Sequence, residues 1–145
     1  MGDLNVLYQS PYISAYNTVG VSVSPGVWTQ ITLGGTEYSG YSFSVVSDNL
    51  VVPLAGIYWA GGQVMWNVVT GVATAIYQNG TMKKQGASWE NSTSGPHVSA
   101  FAASVMEYAA SDTIGLYGYQ GSGGSSTNDT GATATYLSAF FVGSV

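Results

Sequence analysis

One histidine, seven carboxylates and two lysines are the side chains that could carry acid–base or metal chemistry, tyrosines apart. His97 stands in Thr93-Ser-Gly-Pro-His-Val98, a loop signal running into an extended segment. A Ser-His-Asp triad needs a nucleophile held against that imidazole, and no nucleophile-elbow pattern occurs. His97 therefore reads as a turn or surface histidine. Glu37, Glu90, Glu107, Asp112 and Asp129 could be paired on paper as a glycosidase acid and base, but no spacing selects a pair. Calcium needs six to eight oxygens with several carboxylates gathered together, whereas Asp48-Asn49 and Asn128-Asp129 each bring one acid in a turn context. Neither catalysis, nor a metal, nor any cofactor is expected. The remaining chemistry is stacking: Trp89-Glu90-Asn91, with His97 close behind, could place a ring and polar groups against a sugar, and these four are the loop-binding candidates.

Composition narrows the partners. The chain has 145 residues, the size of one domain, and charged side chains are 6% of it against roughly 25% in an average soluble domain. Lys83 and Lys84 are its only basic residues in a net charge of −5. Displacing phosphate counterions takes several cations, so nucleic acid is excluded as a partner, and anionic membrane surfaces with it. With no cysteine there is no disulfide framework and no thiolate site. The N-terminus MGDLNVLYQSPYI has neither a basic n-region nor a continuous apolar stretch, so no secretory signal is expected there. A surface this poor in charge can be buried against protein neighbours at low desolvation cost.

The elements that would position these residues read as strands throughout. Good helix formers are scarce, and Gly, Ser, Thr, Val and Tyr recur between turn signals. Val27–Leu33 alternates and is ended by Gly34-Gly35. Tyr41–Val46 is closed by Ser47-Asp48-Asn49. Ala73–Gln78 runs into Asn79-Gly80, the strongest short hairpin signal, and returns from Thr81. Val98–Tyr108, Thr113–Gln120 and Ala132–Val142 supply three more extended segments. Residues Leu50 to Val69 carry no charge and are long enough for a membrane helix, but Pro53, Gly56 and Gly61-Gly62 interrupt them and no Lys or Arg flanks them. Strand periodicity fits better: Tyr58, Ala60, Gly62, Val64 and Trp66 form one apolar face, while Ile57, Trp59, Gly61, Gln63 and Met65 form a mixed one. Gly121–Gly131 reads as a mobile polar loop.

Two strands are apolar on both faces. Leu137, Ala139 and Phe141 oppose Tyr136, Phe140 and Val142, and Ile114 and Leu116 oppose Tyr117 and Tyr119. A two-layer sandwich covers one face of each sheet, so the second cover is expected from another copy of the chain.

Four pieces in order resemble the C1q/TNF-like jelly-roll superfamily, its C1q-like side more than its cytokine side. They are Ser42-Phe43-Ser44-Val45 with Leu50–Tyr58, then Ala75–Gly80, then Val105–Leu116 with Ser111-Asp112-Thr113-Ile114, and finally Thr135–Val142. Ser111 and Ala139 stand where the family usually has glycine. The resemblance implies an all-β jelly-roll sandwich of about ten antiparallel strands. It also implies a compact homotrimer with the inner sheet around the threefold axis, and it gives Asp112 the role of capping a turn. Tyr117, Tyr119, Tyr136 and Phe140 become the candidate trimer-interface residues. Residues 1–13 would be an N-terminal arm or first strand, and 14–145 the jelly-roll domain.

The function expected from this reading is that of a bacteriophage structural virion protein. It would be a trimeric capsid decoration or head-fibre protein, assembled in the host cytoplasm and bound to a capsid or other virion lattice. The alternatives are a tail-fibre module that binds a receptor or host-surface glycan, and a bacterial surface or spore-coat protein.

Overall fold

In the computed structural model, residues 10–67, 71–88 and 97–145 are described, and they form two packed antiparallel sheets. One sheet has five strands: β1 (Tyr12–Tyr16), β4 (Gly35–Gly40), β7 (Gly56–Trp66), β10 (Val98–Tyr108) and β13 (Tyr136–Gly143), in the order β10-β7-β13-β1-β4. The second has six strands on or off its main path. β5 (Ser44–Val46), β6 (Asn49–Val51), β11 (Thr113–Gln120), β8 (Val72–Gln78) and β9 (Thr81–Ser88) lie side by side, and β3 (Thr29–Gln30) pairs with β11. β2 (Ser22–Val23) and β12 (Ser126–Thr127) make a separate small ladder. Among the described residues there are thirteen strands, and setting aside the three of two residues leaves the ten that the resemblance implies.

The uncharged run from Leu50 is β6, a turn and β7, and no described helix is long and apolar enough to cross a membrane. β7 is central because its inward residues Tyr58, Ala60, Val64 and Trp66 are fully buried against the other sheet. Its small residues allow that closeness: a side chain at Gly62 would meet the Tyr136 carbonyl oxygen at 2.7 Å and Leu116 Cδ1 at 2.8 Å. Trp66 likewise lies across Gly118 of β11, where an added Cβ would sit 2.6 Å from its ring. At one end of the core, Tyr58 meets Phe43, Tyr108 and Phe141 edge-on at centroid distances of 5.8, 6.0 and 5.3 Å. These arrangements align ring edges with ring faces and add to the apolar burial.

Turn chemistry fixes the strand registers. Asn79 and Gly80 both have positive φ, at 50° and 75°, as the two-residue hairpin between β8 and β9 requires. Ser47 and Asp48 do the same between β5 and β6. Ser111 also lies in the left-handed region, at φ 72°, where the family pattern has glycine. Its neighbour Asp112 carries out the capping role, its carboxylate accepting from Ala109 N–H and Gln78 Nε2 at 2.9 and 2.8 Å and from Asn79 Nδ2 at 2.7 Å. Partial burial opposes ionisation of Asp112, but these donors and Lys83 outweigh it and hold the carboxyl below its ordinary value. Ser111→Gly removes the left-handed strain and leaves that cap intact. It should stabilise the fold by about 0.5–1 kcal/mol, read as a higher urea midpoint at unchanged m-value. An unchanged or lower midpoint would show that Ser111 is unstrained.

The structure departs from the sequence reading at several places. Val27–Leu33 alternates, yet only Thr29 and Gln30 join a ladder, because β6 already occupies the preceding part of the same β11 edge. Tyr41 and Ser42 are turn residues with positive φ, so that strand begins only at Ser44. The last strand starts at Tyr136 rather than Ala132. Gly34-Gly35, read as a terminator, instead leads into β4. β1 begins at Tyr12, so the boundary drawn at Ser14 falls inside a strand held between β13 and β4.

Candidate interaction surface

The outward face of the five-stranded sheet is built from three cross-strand rows. Registers place Tyr12 beside Phe140, Phe140 beside Trp59 and Trp59 beside Val105. Two residues along each strand, Tyr38, Ser14, Ser138, Gly61 and Ala103 form the second row. Tyr16, Tyr136, Gln63 and Phe101 form the third. Aromatic ridges therefore flank a band of small residues. The rings are held down by the absence of side chains beneath them. An added Cβ at Gly61 would meet the Trp59 ring at 2.5 Å and Phe101 Cζ at 3.0 Å, and Gly35 and Gly40 lie under Tyr16 and Tyr12. Trp59 and Phe140 stack at 5.2 Å and 18°. In the small-residue band, the Ser138 hydroxyl bonds Ser14 Oγ at 3.0 Å, so neither needs a partner from outside.

This face remains open in the single chain. Tyr38 is 57% exposed, Val105 60%, and Tyr12, Phe101 and Phe140 47% each. Its described strands carry two carboxylates, Glu107 at the margin of β10 and Glu37 at the bulge in the edge strand β4, and no basic group. A contiguous aromatic face with little charge is the surface feature that makes this face the candidate interaction site.

The four trimer-interface candidates fall on two opposite sides of the sandwich. Tyr136 and Phe140 lie on the open aromatic face. Tyr117 and Tyr119 project from β11 on the other sheet, where the chain itself supplies part of their cover. Tyr117 stacks on Tyr77 at 3.7 Å, and Tyr119 packs on Trp28 at 5.3 Å. The two pairs cannot serve one compact patch. Trp59, Phe101, Val105, Tyr12 and Tyr38 complete the aromatic face and were not singled out by the sequence. The mixed face of β7 was legible, but its alignment with β1, β4 and β10 was not.

Of the loop-binding candidates, Trp89, Glu90 and Asn91 lie outside the described residues. His97 lies at the start of β10, half exposed, with Nδ1 against the Asp129 carboxylate. No hydroxyl nucleophile is bonded to it among the described residues. Asp129 belongs to a polar latch that ties the sandwich end together. Asn128, 3% exposed, accepts from Val21 N–H at 2.7 Å and donates through Nδ2 to Asn17 Oδ1 at 3.0 Å and to the Asp129 carbonyl at 2.8 Å. Asn17 in turn donates to the carbonyls of Val19 and Thr32 at 2.8 and 2.7 Å. Gln120, fully buried, donates to Val23 and Gly124 carbonyls at 2.9 Å each. The Gly121–Gly131 segment, read as mobile, is thus pinned by β12 and by Gln120 and Asn128.

Elsewhere the ionisable groups are scattered: no three His, Cys, Asp or Glu residues are grouped as a metal site among the described residues. Inside the core, burial pushes the Tyr108 phenol up to about 12. The Ser104 hydroxyl, which would favour the phenolate, offsets part of that rise, and the Asp112 charge adds to it.

The architecture is the TNF/C1q-like jelly roll, two antiparallel sheets whose five-stranded member presents the aromatic face. No protein-family model matches the chain, and no curated protein sequence matches it. Solved structures do. Murine APRIL at pH 5.0 is similar with a TM-score of 0.75 at 15% identity, over 92% of this chain and 99% of that one. Eiger TNF from S. frugiperda is similar with a TM-score of 0.70 at 16% identity, over 93% and 95%. The globular domain of zebrafish complement 1qA protein is similar with a TM-score of 0.69 at 7% identity, over 93% and 99%. At these identities the likeness concerns the fold alone.

Proposed function

We propose that this chain is a non-enzymatic structural module that assembles as a homotrimer through the aromatic face of its five-stranded sheet, and that the trimer serves as a capsid decoration or head-fibre protein of a bacteriophage particle. The observation that carries the assembly reading is the uncharged row Tyr12, Phe140, Trp59 and Val105 across four adjacent strands, with Tyr12, Phe140 and Val105 exposed and Trp59 partly so. Leaving such a face in water is unfavourable by roughly 25 cal/mol per Å² of apolar surface, and covering it with a second copy recovers that energy. The resemblance and the fold agree with three copies around an axis. The virion reading is supported by a surface with few charges and many small polar groups, which adheres to a protein lattice at low desolvation cost.

The virion reading predicts that purified protein added to preformed capsids lacking it co-sediments with them and saturates at a multiple of three copies per capsid. A protein that stays in the supernatant at every ratio would contradict lattice attachment and leave the assembly reading to its own test.

A further inference from the structure

The cover of β11 has a chemical consequence. In the β8–β11 ladder Tyr77 stands opposite Gly115 and Tyr117 opposite Ala75, so the two tyrosines are diagonal neighbours on the same face of the sheet. The small residue opposite each ring leaves room for it to lean toward the other. Tyr117 lies over Gly115, where an added Cβ would meet its Cε2 at 3.1 Å. The rings stack with centroids 3.7 Å apart and planes 17° from parallel, and both residues are partly solvent-exposed. It is the one tyrosine–tyrosine pair stacked face to face among the described ring contacts; the other, Tyr58 with Tyr108, is edge-on, with centroids 6.0 Å apart, and buried.

We infer that Tyr77 and Tyr117 form an oxidative cross-linking site, at which a peroxide and a one-electron oxidant such as a haem peroxidase join the two rings as an intramolecular dityrosine. Each phenol gives up one electron and one proton and becomes a phenoxyl radical with spin density on the carbons ortho to oxygen. Two such radicals held face to face couple through those carbons. The ortho hydrogens then return to the oxygens as the rings regain aromaticity. One carbon–carbon bond forms, two carbon–hydrogen bonds break, and the two electrons and two protons convert one hydrogen peroxide to two waters. Neighbouring stacked rings favour this geometry because radical coupling needs face-to-face overlap of the ortho carbons, which an edge-on pair denies.

The product would staple two central strands of the six-stranded sheet. It would close a loop of roughly 40 residues in the unfolded chain, as a disulfide does, in a sequence with no cysteine. The inference does not depend on the assembly reading, since both rings belong to one chain and lie on the side away from the aromatic face.

The test is limited oxidation of the folded protein with horseradish peroxidase and hydrogen peroxide, followed by intact mass, dityrosine fluorescence and peptide mapping. The expected result is a monomer-sized species on a denaturing gel that has lost two hydrogen atoms, with the peptides holding Tyr77 and Tyr117 joined and a raised urea midpoint. Tyr77→Phe and Tyr117→Phe keep the stack but cannot form the second phenoxyl, and each should abolish that joined peptide. Circular dichroism matching the parent would show that either variant still folds. Two results would overturn the inference: dityrosine at other tyrosines while these two peptides stay separate, or the same intramolecular product in Tyr117→Phe.

Discussion

Phe140→Glu should convert the assembly to monomers while leaving the fold intact. Phe140 is already 47% exposed in the single chain, so replacing it removes little intramolecular burial beyond its stack on Trp59. In an assembled face the same position lies between Tyr12 and Trp59, and a carboxylate there would be desolvated with no cation on the face to meet it. A central aromatic residue typically contributes 2 kcal/mol or more to an interface, and a buried unpaired charge costs several more. Association should therefore weaken by at least about a hundredfold. The check is native mass at matched concentrations, with the urea midpoint recorded alongside. A variant that stays assembled would move the interface off this face. A variant that unfolds would be replaced by Val105→Glu, whose side chain is 60% exposed and stacks on no other ring.

The second large effect concerns stability. Asn128→Leu should destabilise the fold by about 3 kcal/mol or more. The amide bonds Val21 N–H, Asn17 Oδ1 and the Asp129 carbonyl, and lies 3.3 Å from the Thr135 hydroxyl. Leucine keeps the volume but abandons these groups in a buried setting, at roughly 1–3 kcal/mol for each one left unpaired. Asn17 and Thr135 are themselves fully buried, so water cannot readily replace the amide. The expected result is a large fall in urea midpoint, with the loops around β2 and β12 losing hydrogen-exchange protection before the rest. A change below about 1 kcal/mol would mean the latch is dispensable.

Much of the sandwich could be read from the chain, for identifiable reasons. β10 and β11 have the bounds the pattern gave because their buried alternation is long and uninterrupted. The β8–β9 hairpin was legible because Asn79-Gly80 favours one turn type. The inward face of β7 was legible because Tyr58, Ala60, Val64 and Trp66 repeat at the strand period. What failed depended on partners distant in sequence. β4, Gly-Thr-Glu-Tyr-Ser-Gly, looks like a turn, and its glycines serve instead to seat Tyr16 and Tyr12. The internal cover of Tyr117 and Tyr119 comes from Tyr77 and Trp28, which no local pattern links to β11. The latch was hidden because a Gly/Ser/Asn-rich segment has the composition of a mobile loop, and only the folded chain shows Asn128 and Gln120 pinning it.

The candidate site was legible by half. The doubly apolar last strand pointed to Tyr136 and Phe140, and the fold places both on the outward aromatic face. At β11 the same signal meets Tyr117 and Tyr119, which pack in part on Tyr77 and Trp28 of the same chain, because one sequence cannot separate aromatics covered within a chain from those left open.

The central claim is that the open aromatic face joins copies of this chain, and light scattering after size exclusion over a dilution series tests it most directly. A mass of three times 15.0 kDa that does not change with dilution is the predicted result. A stable monomer at every concentration would contradict it.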